Sequence, residues 1–106
     1  MIATTLVLAM TLDMTSLHRE VIADAGRRSG VDSGRIHVVQ SQAVTWRDGS
    51  LGCPEPGRMY TQALIRGYLI RVQADATVLE YHASAGGQWL FCPAERAIAP
   101  LPDAAT

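Results

Sequence analysis

The feature that most restricts the fold of this chain is a turn-dense stretch over residues 44–62, which reads VTWRDGSLGCPEPGRMYTQ. It holds three Gly, two Pro and an Asp-Gly pair, residue types that interrupt regular helices and strands. Apolar, strand-like segments lie on both sides of it. We therefore expect a long, structured loop between two strands, with the rest of the chain arranged around it.

The segment that precedes this loop predicts one amphipathic helix. Leu17, Val21 and Ala25 recur at four-residue spacing, which places them along one side of a helix. Ser16 is a suitable N-terminal cap, and Ser29, followed by Gly, is typical of a helix end. We expect the helix to cover residues 16–29.

Four strands are predicted, because four segments alternate apolar and polar residues between turn signals. In the first strand, Ile36, Val38, Val44 and Trp46 share one parity, and two glutamines interrupt the pattern, which indicates a bulge. Gly67 indicates a kink in the second strand. An Asp-Ala pair at 75–76 and an Ala-Gly-Gly triplet at 85–87 supply the later turns. The strands are expected over residues 35–46, 61–74, 77–83 and 88–92.

Together these elements predict a two-layer α+β domain, in which the N-terminal helix packs on an antiparallel meander of about four strands. A length of 106 residues suits a single domain over residues 1–106. Residues 1–12 are apolar but lack the basic start and cleavage site of an export signal, which favours a strand or helix packed on the core. Residues 94–106 are expected to form a loosely ordered tail.

Composition argues against several classes of function. Nine basic residues, all Arg, stand against ten acidic ones with no basic stripe, so nucleic acid is not an expected partner. No apolar run is long enough to span a membrane as a helix. The three His are dispersed and there is no C-x-x-C motif, so we predict no metal site and no cofactor. Another protein is the expected partner.

The two cysteines allow either a disulfide or a reactive thiol. Cys53 lies in the loop and Cys92 at the end of the last strand, so a bond between them would tie the loop to the sheet edge, and we favour that pairing. The alternative is a pair of buried thiols. Cys53 and His82 form a nucleophile and base only if the third strand passes beneath the loop. His82 is otherwise expected to be a polar residue at the rim of its strand.

Side chains within and beside the loop are the candidates for binding. Two prolines stiffen the loop, and the aromatic residues that border it are typical of recognition surfaces. The alternative for Trp46 is to fill the core beneath the loop, and Asp48 with Gly49 is also a common turn signal. The candidate binding residues are Trp46, Asp48, Ser50, Glu55, Arg58, Met59 and Tyr60.

Residues 46–54 read W-R-D-G-S-L-G-C-P, and Tyr-Thr-Gln, Gly-Tyr and Tyr-His follow at 60–62, 67–68 and 81–82. This pattern resembles a family of small uncharacterised bacterial proteins, often exported, that carry the signature W-P-D-G-S-L-G-C-P. Arg47 stands where that signature has Pro. The resemblance implies a fold and a disulfide between Cys53 and Cys92, and with that disulfide it favours an extracytoplasmic location. It implies no reaction.

The favoured function is a non-catalytic binding module that presents the rigid loop over residues 48–60. One version is a protein or protease inhibitor in which Arg58 or Met59 enters a specificity pocket. The first alternative is a small Cys/His-dependent enzyme centred on Cys53. The second is a purely structural module whose loop only closes the fold.

Overall fold

The computed structural model describes residues 14–102. The N-terminal segment 1–12 and residues 103–106 of the tail lie outside the described residues, as does residue 13. The described chain forms helix α1 (Met14–Ser29), strands β1 (Ile36–Trp46), β2 (Ile65–Ala74), β3 (Thr77–Ser84) and β4 (Trp89–Phe91), and two short 3₁₀ turns (Ser33–Arg35 and Ala94–Arg96).

Helix α1 forms where the four-residue spacing predicts it. Leu17, Val21 and Ala25 are its buried residues, and they lie on the side that faces the sheet. The helix ends where the N–H of Gly30 donates to the carbonyl of Gly26 at 2.9 Å. The observed start, two residues before the predicted one, lies within the usual uncertainty of helix boundaries.

The four strands form an antiparallel meander in the order β1-β2-β3-β4. The two-layer α+β prediction is therefore confirmed. The hairpin between β2 and β3 turns at residues 75–76, as predicted, with Ala74 opposite Thr77. Strand β2 begins four residues later than predicted, because residues 61–64 still belong to the loop that follows β1.

Strand β1 changes face at a bulge. The pairing register shifts between Val38 and Gln40, which leaves Val39 as an extra residue. Val38 packs towards the helix, whereas Val44 and Trp46 pack on the opposite face of the sheet. The predicted bulge is confirmed, and because one inserted residue reverses the alternation of side chains, the four apolar residues of one parity do not share one face.

Each face of the sheet consequently carries its own core. The larger core lies under α1 and contains Leu17, Val21, Ala25, Ile36, Ile70, Val72, Ala74, Leu79, Tyr81 and Ala83. The smaller core lies under the loop between β1 and β2 and contains Trp46, Leu51 and Leu69, flanked by Val44, Ile65 and Leu90. The helix thus covers one face of the sheet, while the loop covers part of the other.

Residues 94–102 run back along the loop and β1. The N–H of Ile98 donates to the carbonyl of Gly52 at 2.8 Å, and the N–H of Leu101 donates to Thr45 at 3.0 Å. Against the expectation of a loosely ordered tail, the chain is therefore fastened by backbone hydrogen bonds as far as residue 101. These contacts place the tail beside the loop.

Candidate functional site

The loop between β1 and β2 begins with two tight turns. Asp48 accepts hydrogen bonds from the backbone N–H (2.9 Å) and the hydroxyl (2.6 Å) of Ser50. These two bonds lower the pKa of the Asp48 carboxyl. Asp48 and Ser50, two of the predicted binding residues, therefore hydrogen-bond to each other. The Asp-Gly pair forms the turn that its sequence predicts.

The second turn holds Leu51 in an uncommon backbone conformation. Leu51 (φ 55°) and Gly52 (φ 72°) both have positive φ, and the N–H of Cys53 donates to the carbonyl of Ser50 at 3.0 Å. This is the geometry of a type I′ turn, which a Leu adopts only at a cost of about 1–2 kcal/mol. The same conformation buries the Leu51 side chain in the smaller core and turns its carbonyl towards β3.

His82 on β3 is the side chain that contacts this carbonyl. Its ring is completely buried, stacks on Trp46 with 4.3 Å between ring centroids, and bonds through Nδ1 to the carbonyl oxygen of Leu51 at 2.6 Å. Its Nε2 meets the carboxylate of Glu80 at 2.5 Å. The expectation that His82 is a polar residue at the strand rim is wrong, because the loop folds over this face of the sheet and encloses the ring.

Both ring nitrogens of His82 face oxygen atoms, and the Glu80 carboxylate is one of the two partners. Arg71 also donates to Glu80, at 2.8 Å, and to Gln40 at 2.5 Å. Burial alone would raise the pKa of Glu80, but the hydrogen bonds from His82 and Arg71 outweigh it and hold that pKa below its ordinary value.

Trp46 lies in the core rather than on the recognition surface. Its exposed fraction is zero, and its indole N–H donates to the carbonyl of Ala83 at 3.0 Å. A Cβ added at Gly52 would come within 2.6 Å of the indole ring, and one added at Gly67 would overlap the carbonyl oxygen of Ala83. Gly67 therefore allows close packing of β2 against its neighbours, and the pairing register runs through it without a shift.

A disulfide joins Cys53 to Cys92, with 5.7 Å between their Cα atoms. The pairing favoured by the sequence is therefore the one observed. Neither cysteine is a free thiol, and both ring nitrogens of His82 bond to other groups. His82 therefore lies beneath the loop that carries Cys53, but the two side chains do not form a nucleophile–base pair.

The tip of the loop, residues 54–60, projects away from this anchored part. Pro56 and Gly57 (φ 82°) occupy the central positions of a turn closed by a 3.2 Å bond from the N–H of Arg58 to the carbonyl of Glu55, the signature of a type II turn. The hydroxyl of Tyr60 accepts a hydrogen bond from the N–H of Glu55 at 3.0 Å. The backbone of the tip is thus fixed by its own contacts.

The side chains of the tip remain available to a partner. Met59 is 94% exposed. Arg58 lies 3.6 Å from the Glu55 carboxylate and over the ring of Tyr60, at 5.5 Å from its centroid. Glu55, Arg58, Met59 and Tyr60 therefore cluster at the tip, whereas Trp46, Asp48 and Ser50 hold the base of the loop.

A groove of about 750 Å³ lies between the loop and β4. All three residues of β4 line it, together with loop residues from Gly49 to Tyr60. Three arginines from separate parts of the chain, Arg28, Arg58 and Arg96, also line the groove. Nothing in the sequence analysis predicted this groove, because its walls are distant from one another along the chain.

The described residues contain no group of three or more His, Cys, Asp or Glu side chains arranged to hold a metal ion. Between residues 14 and 102, no helix is both long and apolar enough to cross a membrane. The disulfide is consistent with an extracytoplasmic location, where such bonds form and persist.

The fold and the site define a small α+β domain with one covalently anchored loop over the sheet face opposite its helix. The chain belongs to the family described as Domain of unknown function (DUF8738), whose model matches residues 18–92. That match covers the helix from residue 18 onwards, the four strands and both cysteines. Comparison with curated proteins gave no match, and comparison with solved structures gave none either.

Our reading of the sequence did not predict the row of polar side chains on this face of the sheet, which consists of Gln40, Arg71, Glu80 and His82. One signal for this row nevertheless exists. A two-residue turn at 75–76 places Arg71 directly opposite Glu80, which identifies them as a cross-strand ion pair. Alternation along β3 then places His82 on the same face as Glu80. The missing information was that the loop covers this face.

Proposed function

We propose that this domain is a non-catalytic binding module that presents residues 48–60 to another protein. The observation that carries the proposal is Met59, 94% exposed at the tip of a loop whose backbone is fixed on both sides. When a partner buries an exposed apolar side chain, the free energy of the complex is lowered. A loop that is already ordered loses little conformational entropy in the process.

Anchoring of the loop supports this role. The disulfide, the His82 bond to Leu51 and the Pro-Gly turn each restrict a different part of the loop. The resemblance to exported bacterial proteins and the disulfide together favour a partner outside the cytoplasm. In the more specific version, the partner is a protease and Arg58 or Met59 enters its specificity pocket, by analogy with other rigid inhibitor loops.

Inhibition assays test the protease version. Proteases that cleave after basic residues and proteases that cleave after large apolar residues are assayed with the wild type, Arg58→Ala and Met59→Ser. We expect inhibition of one class, weakened about tenfold or more by the variant whose side chain fills the pocket. Arg47→Ala is the matched control, because Arg47 is an exposed arginine at the opposite end of the loop. Absence of inhibition throughout the panel would discard the protease version.

Comparative capture tests the broader proposal. Wild type, Arg47→Ala and Met59→Ser are immobilised in parallel and exposed to the extracytoplasmic proteins of the source cells. A binding module retains a defined protein on the wild type and Arg47→Ala and loses it on Met59→Ser. A purely structural module gives identical results for all three. A Cys53-centred enzyme would instead require a thiol that iodoacetamide alkylates in the native, unreduced protein.

A further inference from the structure

The free edge of β4 is not hydrogen-bonded by the rest of the described chain. The carbonyl of Gln88 accepts from Ser84 at 2.8 Å, and the N–H of Cys92 donates to Glu80 at 2.9 Å, so alternate residues of this strand turn their backbone groups towards β3. The backbone N–H and C=O groups of the intervening Trp89 and Phe91 therefore point away from the sheet. No backbone hydrogen bond to them from outside the sheet is found within residues 14–102.

The groove beside this edge is cationic. Its lining contains three arginines and one acidic residue, Glu55. Arg28 is paired with Asp24 at 2.6 Å and Arg58 with Glu55 at 3.6 Å, but Arg96 has no carboxylate partner among the described residues. Its Nη2 contacts only the sulfur of Cys53, at 3.5 Å, and its Nε is buried without any hydrogen-bond partner. The guanidinium therefore keeps N–H donors at its terminal nitrogens that no carboxylate of the described chain uses, and these donors suit an acidic ligand.

We infer that an extended, acidic segment of a partner protein adds to β4 as a fifth strand, with its carboxylates directed to the arginines of the groove. Trp89 and Phe91 supply backbone hydrogen bonds, as in other cases of strand addition. Arg96 supplies the principal ionic contact, since its geometry suits a carboxylate. The inference rests on the proposed function only in that the partner is a protein.

A second copy of this chain is a poorer occupant of the same edge. Symmetric pairing of two β4 strands would bring the arginines that line one groove towards those that line the other. Like charges held together across an interface are destabilising. An acidic strand carries the charge opposite to that of the arginines, and the two carboxylates near this edge already have partners, Glu20 in the Trp89 indole N–H and Glu55 in Arg58.

The probe for this inference is a short peptide of alternating Glu and Val, which places all its carboxylates on one side of a strand. Its controls are the Lys-Val counterpart and a Glu-Val peptide that is N-methylated at alternate residues on the edge that would face β4. Binding is measured by fluorescence anisotropy with the wild type, Arg96→Met, Arg28→Met and Arg47→Met. All variants are first compared with the wild type by circular dichroism and thermal melting.

We expect the Glu-Val peptide to bind and the Lys-Val peptide not to bind. Arg96→Met should weaken binding about tenfold or more, Arg28→Met should weaken it less, and Arg47→Met should leave it unchanged. The N-methylated peptide, which keeps its charge but loses the hydrogen bonds of the paired edge, should lose binding. If Arg96→Met does not fold, Arg28→Met and the N-methylated peptide still decide the outcome.

Four results would overturn the inference. Equal binding of the acidic and basic peptides would exclude charge recognition, and unchanged binding of the N-methylated peptide would exclude strand addition. A dimer in sedimentation equilibrium that the Glu-Val peptide cannot dissociate would identify a second copy as the occupant. With the natural partner, loss of capture by Met59→Ser but not by Arg96→Met would refute this inference and leave the loop function intact, whereas the reverse would refute the loop function.

Discussion

At the scale of single residues, the side chain of His82 connects three parts of the domain. Its ring stacks on Trp46 from β1, bonds the Leu51 carbonyl of the loop and pairs with Glu80 on its own strand. The polar ring is tolerated in the core because both of its nitrogens have hydrogen-bond partners, and the Glu80 carboxylate also accepts from Arg71. The side chain with the most unusual surroundings in the domain is thus a structural one.

Gly67 provides a prediction at the same scale. In Gly67→Ala the new methyl group would overlap the Ala83 carbonyl and crowd the Trp46 indole, so strands β2 and β3 must separate locally. We expect a loss of about 3 kcal/mol or more in the free energy of unfolding, measured by urea titration. Gly86→Ala is the matched control, because its nearest neighbour would be 3.7 Å away. Equal stability of the two variants would contradict the packing described around Gly67.

At the scale of elements, the loop between β1 and β2 behaves as a third layer over part of the sheet. It contributes Leu51 to the smaller core, closes over His82 and is bonded to the end of β4 through Cys53 and Cys92. Residues 94–102 fasten it from the other side through Ile98. Its turn residues therefore serve a packed structure, whereas most side chains of the tip remain exposed.

The disulfide provides a prediction for this element. Replacing both cysteines with serine removes a cross-link between residues 39 apart in sequence. The chain-entropy estimate gives a loss of about 3–4 kcal/mol in the free energy of unfolding. Urea unfolding of the double variant should agree with that of the reduced wild type, which serves as its control. A reduced wild type as stable as the oxidised protein would show that the bond does not restrain the loop.

At the scale of the whole molecule, three carboxylates hold contacts in the helix, the loop and the sheet. Asp24 on α1 accepts from Tyr81 at 2.7 Å, Asp48 holds the turn at the base of the loop, and Glu80 holds His82. Burial opposes ionisation of Asp24, but hydrogen bonds from Tyr81 and Arg28 outweigh it, so its pKa is lowered, as are those of the other two. The helix, the loop and the sheet are therefore stabilised by the same ionisation.

Acid unfolding tests this arrangement. A carboxylate with a lowered pKa in the folded state stabilises fully above its ordinary pKa, and that contribution is lost as the pH falls through the folded-state value. The ordinary values are 3.8 for Asp and 4.5 for Glu, so we expect urea midpoints to fall steeply below about pH 4. Asp48→Asn and Glu80→Gln should reduce stability near neutral pH and flatten the acid limb. Glu95→Gln, an exposed control, should follow the wild-type curve.

Local patterns were sufficient to predict most of the elements. Four-residue spacing gave the helix, alternation gave the strands, and the turn signal at 75–76 fixed the β2–β3 register. The loop was recognised because its Gly, Pro and Asp residues favour turns. The position of Cys53 in that loop and of Cys92 after the last strand favoured their pairing.

What the tertiary structure alone decided is which side of the sheet each residue faces and what covers it. The unpaired Val39 moves Val44 and Trp46 to the face opposite the helix, because one extra residue reverses the alternation of side chains beyond it. Because the loop then folds over that face, His82 is buried and the three arginines meet beside β4. The turn-dense stretch of residues 44–62 is therefore a structured loop by sequence, and it becomes a cover for the buried His82 and one wall of a cationic groove only through contacts between distant segments.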